Sequence, residues 1–183
     1  MTERTDDALL DSILAAYQLR ARITDNMRYC GRWRDWDPQA PPGTAWFHLL
    51  DQGTCWLNVE GNEVPVQMNS GDLVVLPRGG AHSLTPIEQP DGSVSMDGFT
   101  TMLCGEFTFE STSGHPVMDA LPDLMHVRGS ESGDSYRRLA ELLVQEAGQR
   151  RFGTQAVMDK LADALFVMAL RTHLAGTAQR RGL

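Results

Sequence analysis

Four side chains in this sequence have the chemistry of metal ligands: His48, Cys55, His82 and Cys104. Two imidazoles and one or two thiolates form a mixed nitrogen and sulfur set, which suits Zn²⁺, with the fourth group closing a tetrahedron. His48 lies in Thr44–Leu50 (TAWFHLL) and Cys55 in Thr54–Val59 (TCWLNV), with Asp51-Gln52-Gly53 turning the chain between them. The two residues therefore fall on neighbouring antiparallel strands. A period of two puts Cys55, Leu57 and Val59 on one face of the second strand, with Trp56, Asn58 and Glu60 on the other, and points Cys55 inward. Cys104 shares a face with Met102, whereas Leu103, Phe107 and Phe109 share the opposite one. Its inward aim then depends on a bulge at Gly105. The alternative for all four is structural, with hydrogen-bonded histidines and cysteines acting as small core hydrophobes. His115, His126 and His173 sit in loop or helix contexts and read as structural.

The element that must deliver His82 is Gly71–His82 (GDLVVLPRGGAH), the most specific local pattern in the chain. Gly71-Asp72 turns the backbone, because glycine tolerates positive φ and aspartate bonds its own main chain. Leu73–Leu76 is an apolar run too short for a helix and suited to a buried strand. Pro77 ends the ladder and Gly79-Gly80 reverses the chain, so that His82 opens a returning strand. Further strands are predicted at Val64–Met68 and Phe99–Phe109, with one or two between Ile23 and Trp36. Short strands with turns at this density imply an all-β barrel or sandwich. The barrel is predicted to be complete at Phe109.

Helices flank it. Asp7–Arg22 has Leu10, Ile13, Leu14 and Tyr17 at helical spacing. A second helix runs from a cap at Asp134 to about Gln149, and a third from Gly153-Thr154 to about Leu174. In the third, Leu161–Leu170 leaves almost no polar face, so two sides must be buried. The second surface is predicted to be another copy of the chain, giving a homodimer through the C-terminal helices. The alternative buries the helix wholly against its own barrel.

The 183 residues carry a net charge of −8, which argues against nucleic acid or an anionic membrane as a partner of this chain alone. No apolar stretch is long enough for a membrane span and the first residues are too polar for a signal peptide, so the predicted location is cytoplasmic. Three cysteines without a CxxC pair do not make a disulfide framework. No nucleophile elbow, P-loop or dinucleotide fingerprint occurs.

The spacing of glycine, proline, glycine and histidine through Gly71–His82 resembles the second motif of the cupin superfamily. Taken in order, an N-terminal helix, FHLLDQGTCWLNVEG, GDLVVLPRGGAHSL, MLCGEFTFE, HPVMDALPDLMHV and a helix pair resemble the N-terminal cupin domain of AraC-type transcriptional regulators. The resemblance implies a mainly β chain with α: a single jelly-roll cupin barrel preceded by one helix and followed by a two-helix C-terminal hairpin. Residues 1–112 would form the first helix and barrel, and 113–183 a connector and dimerising helical pair. It also implies a small-molecule-sensing domain that is not an enzyme. In such regulators a helix-turn-helix domain follows, whereas this sequence ends at Gln179–Leu183, as an excised domain or a stand-alone relative would. In cupins the His82 strand lines the same cavity as His48, which would bring His48, Cys55, His82 and Cys104 around one Zn²⁺. Leu50 stands where the first cupin motif has a second histidine, and Cys55 near where it has a glutamate, so a three-histidine, one-glutamate oxygenase site is absent. A small cupin metalloenzyme using His48, Cys55 and His82 is the first alternative, and a scaffold cupin with a filled barrel the second.

Overall fold

The computed structural model describes residues 19–89, 91–94, 98–109 and 120–181. Among the described residues, nine strands precede two helices: β1 (Leu19–Tyr29), β2 (Asp35–Asp37), β3 (Thr44–Gln52), β4 (Thr54–Val59), β5 (Val66–Asn69), β6 (Leu73–Leu76), β7 (His82–Pro86), β8 (Thr100–Phe109), β9 (Met125–Val127), α1 (Asp134–Ala147) and α2 (Thr154–Arg181). They form two antiparallel sheets, ordered β1-β8-β3-β6-β9 and β2-β7-β4-β5. This is the mainly β jelly-roll with a C-terminal helix pair that the sequence predicts.

The expected bounds of three elements change. The helix predicted over Asp7–Arg22 lies outside the described residues as far as Gln18, but from Leu19 the chain is strand. Arg20 and Arg22 alternate with the buried Ala21 and Ile23, and β8 pairs with them throughout. The sheet is not complete at β8, because Met125–Val127 adds a fifth strand against β6. Three residues are too few to announce a period, although Met125 and Val127 are buried around the partly exposed His126. Finally, Gly133 occupies the N-cap of α1 and Asp134 is its first helical residue, where it pairs with Arg137.

Both faces of the five-stranded sheet are covered, which explains why all four residues of β6 are buried. On β3, Ala45, Phe47 and Leu49 face the helices, whereas Leu50 and His48 face the opposite sheet. The outer core joins this sheet to Tyr136, Ala140 and Leu143 of α1 and to Met158, Ala162, Leu165, Phe166, Ala169 and Leu170 of α2. Its centre is an aromatic run in which Phe107 contacts Phe47 at 4.4 Å and Phe166 at 4.8 Å between ring centroids. The inner core, between the sheets, contains Cys55, Leu57, Val59, Met68, Val74, Leu76, Leu84, Met102 and Cys104.

The predicted bulge is displaced. Gly105 pairs without a break with Phe47 of β3, and the register slips on β1 instead, between Ile23 and Asp25. Gly105 is needed for close packing, because a Cβ there would overlap the Phe47 ring and the Arg22 carbonyl. The slip at Thr24 reverses the alternation of β1, so that Ala21 and Ile23 serve the outer core and Met27 and Tyr29 the inner one. No helix among the described residues is long and apolar enough to cross a membrane.

Candidate functional site

Two cross-strand pairs meet at one end of the inner core. His48 on β3 pairs with Cys104 on β8, and His82 on β7 pairs with Asp37 on β2. The first pair belongs to one sheet and the second to the other, so the side chains converge across the interior. Local chain geometry fixes His82. Gly79, at φ 60°, reverses the chain where a Cβ would collide with Ala40, and the carbonyl of Gly80 accepts the His82 Nδ1–H at 2.8 Å.

That bond leaves His82 Nε2 facing the interior, 2.6 Å from His48 Nε2. The Asp37 Oδ2 lies 3.2 Å from His82 Nε2 and 3.7 Å from His48 Nε2. Both histidines are buried, at 1% and 2% exposure, and Asp37 is half-buried. Nitrogens this close require a proton between them, and the carboxylate beside them adds to the demand for positive charge. Burial, reinforced by the charge of His82 and opposed by Asp37, pushes the pKa of His48 down to about 3. Burial would raise the Asp37 pKa, but the hydrogen bond from His82 and the charges of both imidazoles hold it below the usual carboxylate range.

The structure brings His48 and His82 together and sorts the cysteines differently. Cys104 faces inward with Met102, without any bulge at Gly105. Its face was misjudged because both faces of β8 are buried, so apolar neighbours do not mark the lumen. Its Sγ lies 3.1 Å from His48 Nδ1, on the side of the ring turned away from His82. Cys104 is thereby a partner that orients His48. Cys55 points inward as predicted but packs in the apolar inner core, paired with Met68 and Pro86. Burial and then the charge of Asp72 push its thiol up to about 12. Among the described residues, Asp37, His48 and His82 are the group whose donor atoms all lie within 4.8 Å of one another. Asp37 was missed by sequence reasoning because β2 is three residues long and runs into Pro38. The one signal was the alternation Asp35-Trp36-Asp37, which sends both carboxylates to one face.

A cavity of about 610 Å³ opens onto this cluster. Asp37, His48 and Cys104 form its floor, and Arg22–Asp25, Met27, Asp35, Trp46, Glu106 and Gln155 its walls. Tyr29 donates its hydroxyl to Asp35 at 2.8 Å, and Arg22 lies 3.9 Å from Glu106. The barrel is therefore packed at its apolar end and hollow at its polar end.

Residues 8–175 match the model of a family described as Cupin. An HTH-type transcriptional regulator of Haemophilus influenzae is 25% identical over 190 residues, covering 95% of this chain and 62% of that protein. A putative AraC-like transcription regulator of Streptomyces lividans is 25% identical over 182 residues, covering 90% of this chain and 59% of that protein. The chain thus spans about three fifths of the length of these relatives. Among solved structures, ToxT from Vibrio cholerae O395 aligns with a TM-score of 0.45 and 12% identity, covering 86% of this chain and 55% of that one. From the matched span and these relatives, the chain belongs to the cupin family and is homologous to AraC-like transcription regulators.

Proposed function

We propose that this chain is the small-molecule-sensing domain of an AraC-like transcription regulator, with its effector site in the cavity above His48. The observation that carries the reading is that cavity: a hollow of about 610 Å³ lined by Asp37 and His48, which cluster with the buried His82, in a chain homologous to regulators. Concave sites with a few convergent polar groups are where small ligands bind. The effector acts by favouring one conformation over another rather than by being chemically changed.

The cluster also fits a metal ion. Two imidazole nitrogens and a carboxylate oxygen form a donor set that Zn²⁺ accepts with an open fourth position, and Cys104 holds the far nitrogen of His48 as an orienting partner. Held by Asp37, His48 and His82, zinc would supply positive charge and Lewis acidity for an electron-rich group of the effector. Cys55 and Cys104 are left out of the proposed ligand set, which replaces the four-residue set predicted from the sequence.

The reading extends to partners. Residues 1–112 and 113–183 would act as sensing and dimerising parts, with a homodimer formed through α2. Val157 and Ala164 of α2 remain exposed after its opposite face has packed on the sheet, which supports that surface. The net charge of −8 supports DNA binding elsewhere in the regulator, and a cytoplasmic location follows from that role. The test is a thermal-shift screen of amines, carboxylates, sugars and aromatic acids against wild type and Trp46→Ala. A cavity ligand raises the melting temperature of wild type, since it binds only the folded state, and raises that of the variant less. No stabilising compound, or stabilisation indifferent to Trp46→Ala, would overturn the assignment.

A further inference from the structure

As an edge strand, β1 turns main-chain groups away from β8, and α2 takes them up. The Ala21 N–H donates to Asp163 Oδ1 at 2.6 Å and the Ile23 N–H to Asp159 Oδ1 at 3.1 Å. The Ile23 carbonyl accepts from Gln155 Nε2 at 3.0 Å, and the same amide donates to Asp159 Oδ1 at 2.8 Å. Residues 155, 159 and 163 are four apart and form one row on the helix. The row meets β1 next to Thr24, where the register slips and where the Thr24 hydroxyl donates to the Cys104 carbonyl at 3.2 Å. Arg22, Ile23, Thr24, Asp25 and Gln155 are also cavity wall. The wall of the cavity and the seat of the helix thus share Ile23 and Gln155.

We infer that Gln155, Asp159 and Asp163 are positioning residues that couple occupancy of the cavity to the seating of α2 on β1. The inference rests on the reading of that cavity as the effector site and adds how the site is read out. An edge bulge is a place where pairing can shift by one residue, and carboxylate bonds to main-chain N–H groups are strong enough to transmit the shift. An occupant that engages the slip or the Gln155 amide changes the row, and α2 responds. By linkage, the seating of α2 changes the affinity of the cavity by the same factor.

The test is hydrogen exchange on the full chain with Zn²⁺ as the probe, its binding measured separately by calorimetry. Zinc slows exchange across residues 154–165 by about fivefold or more in wild type, the lower end of ordinary allosteric couplings. In Asp163→Ala, which lies outside the cavity wall, zinc still binds but the change in 154–165 disappears. Thr24→Val, without zinc, releases the slip and speeds exchange in 19–29 and 154–165 while 54–69 stays as in wild type. Zinc binding with exchange in 154–165 within twofold of the free protein overturns the coupling, as does an Asp163→Ala protein that responds like wild type. If zinc does not bind, Thr24→Val decides: unchanged exchange in 154–165 overturns the coupling, and faster exchange confined to β1 and α2 upholds it while the metal reading alone falls.

Discussion

The two cores share the five-stranded sheet and are built on opposite principles. On β3 the residues facing the helices are Ala45, Phe47 and Leu49, whereas those facing the other sheet are Trp46, His48 and Leu50. In the outer core the polar atom of the largest buried side chain, the Tyr136 hydroxyl, reaches the Gly71 carbonyl at 3.2 Å. The inner core places two imidazoles and a carboxylate within reach of one another beneath a cavity. Burying such groups costs free energy that apolar packing would not. The outer core therefore carries stability, and the polar end of the inner core, the proposed binding site, is where the fold gives stability up.

The sharpest way to break this comparison is in the outer core. Phe166→Ala removes a fully buried ring from the aromatic run, and equilibrium urea unfolding should show a loss of about 3–5 kcal/mol. A loss well under that would mean the outer core is not the stabilising one. Leu165 is buried in the same core, so a charge there unfolds the chain and does not report on dimerisation. Gly105→Ala pushes a methyl group into Phe47 at the boundary between the cores, with an expected cost of about 1–3 kcal/mol by the same measurement.

A smaller effect separates polar groups that stabilise from those that bind. Asp72 is buried beneath the turn before β6. Burial favours its protonated form, but the His126 hydrogen bond, the Asn69 and Gly129 N–H groups and the His126 charge together hold its pKa below the usual range. A depressed carboxylate contributes stability that is fully present above its unfolded value near 3.9 and is lost as pH falls below it. Asp72→Asn should cost on the order of 1 kcal/mol at neutral pH. It should also narrow the difference in unfolding free energy between pH 7 and pH 3.5, whereas an unchanged difference would assign the acid sensitivity elsewhere. Least costly to the fold are Val157→Glu and Ala164→Glu on the exposed side of α2, at under about 0.5 kcal/mol each. Sedimentation should nevertheless show the dimer of the parent chain shifting to monomer, and a parent chain that sediments as monomer would remove the proposed interface.

The turns around Leu73–Leu76 that deliver His82 were legible because turn chemistry is local, Gly71, Asp72, Pro77 and Gly79 each acting within a few residues, but that β6 and β7 enter different sheets instead of pairing as a hairpin was not. The inward face of β4 was legible because Trp56 and Asn58 mark its other side. Legibility failed where both faces are buried, as on β8, since apolar residues then appear on each side and cannot identify the lumen. It failed at Asp37 and β9 because three residues carry no usable period. Asp37 joins the site only through the pairing of β2 with β7, a contact over forty-five positions of chain that no local pattern encodes.

Zinc titration by calorimetry on chelator-treated protein tests most directly whether the polar end of the inner core is a binding site. The predicted result is one zinc per chain, with Asp37→Ala and His48→Ala each removing it, Cys104→Ser weakening it by about tenfold through a loosened His48, and Cys55→Ser leaving it unchanged. No zinc uptake together with a melting temperature indifferent to chelator would contradict the account and leave His48 and His82 as hydrogen-bonded barrel residues.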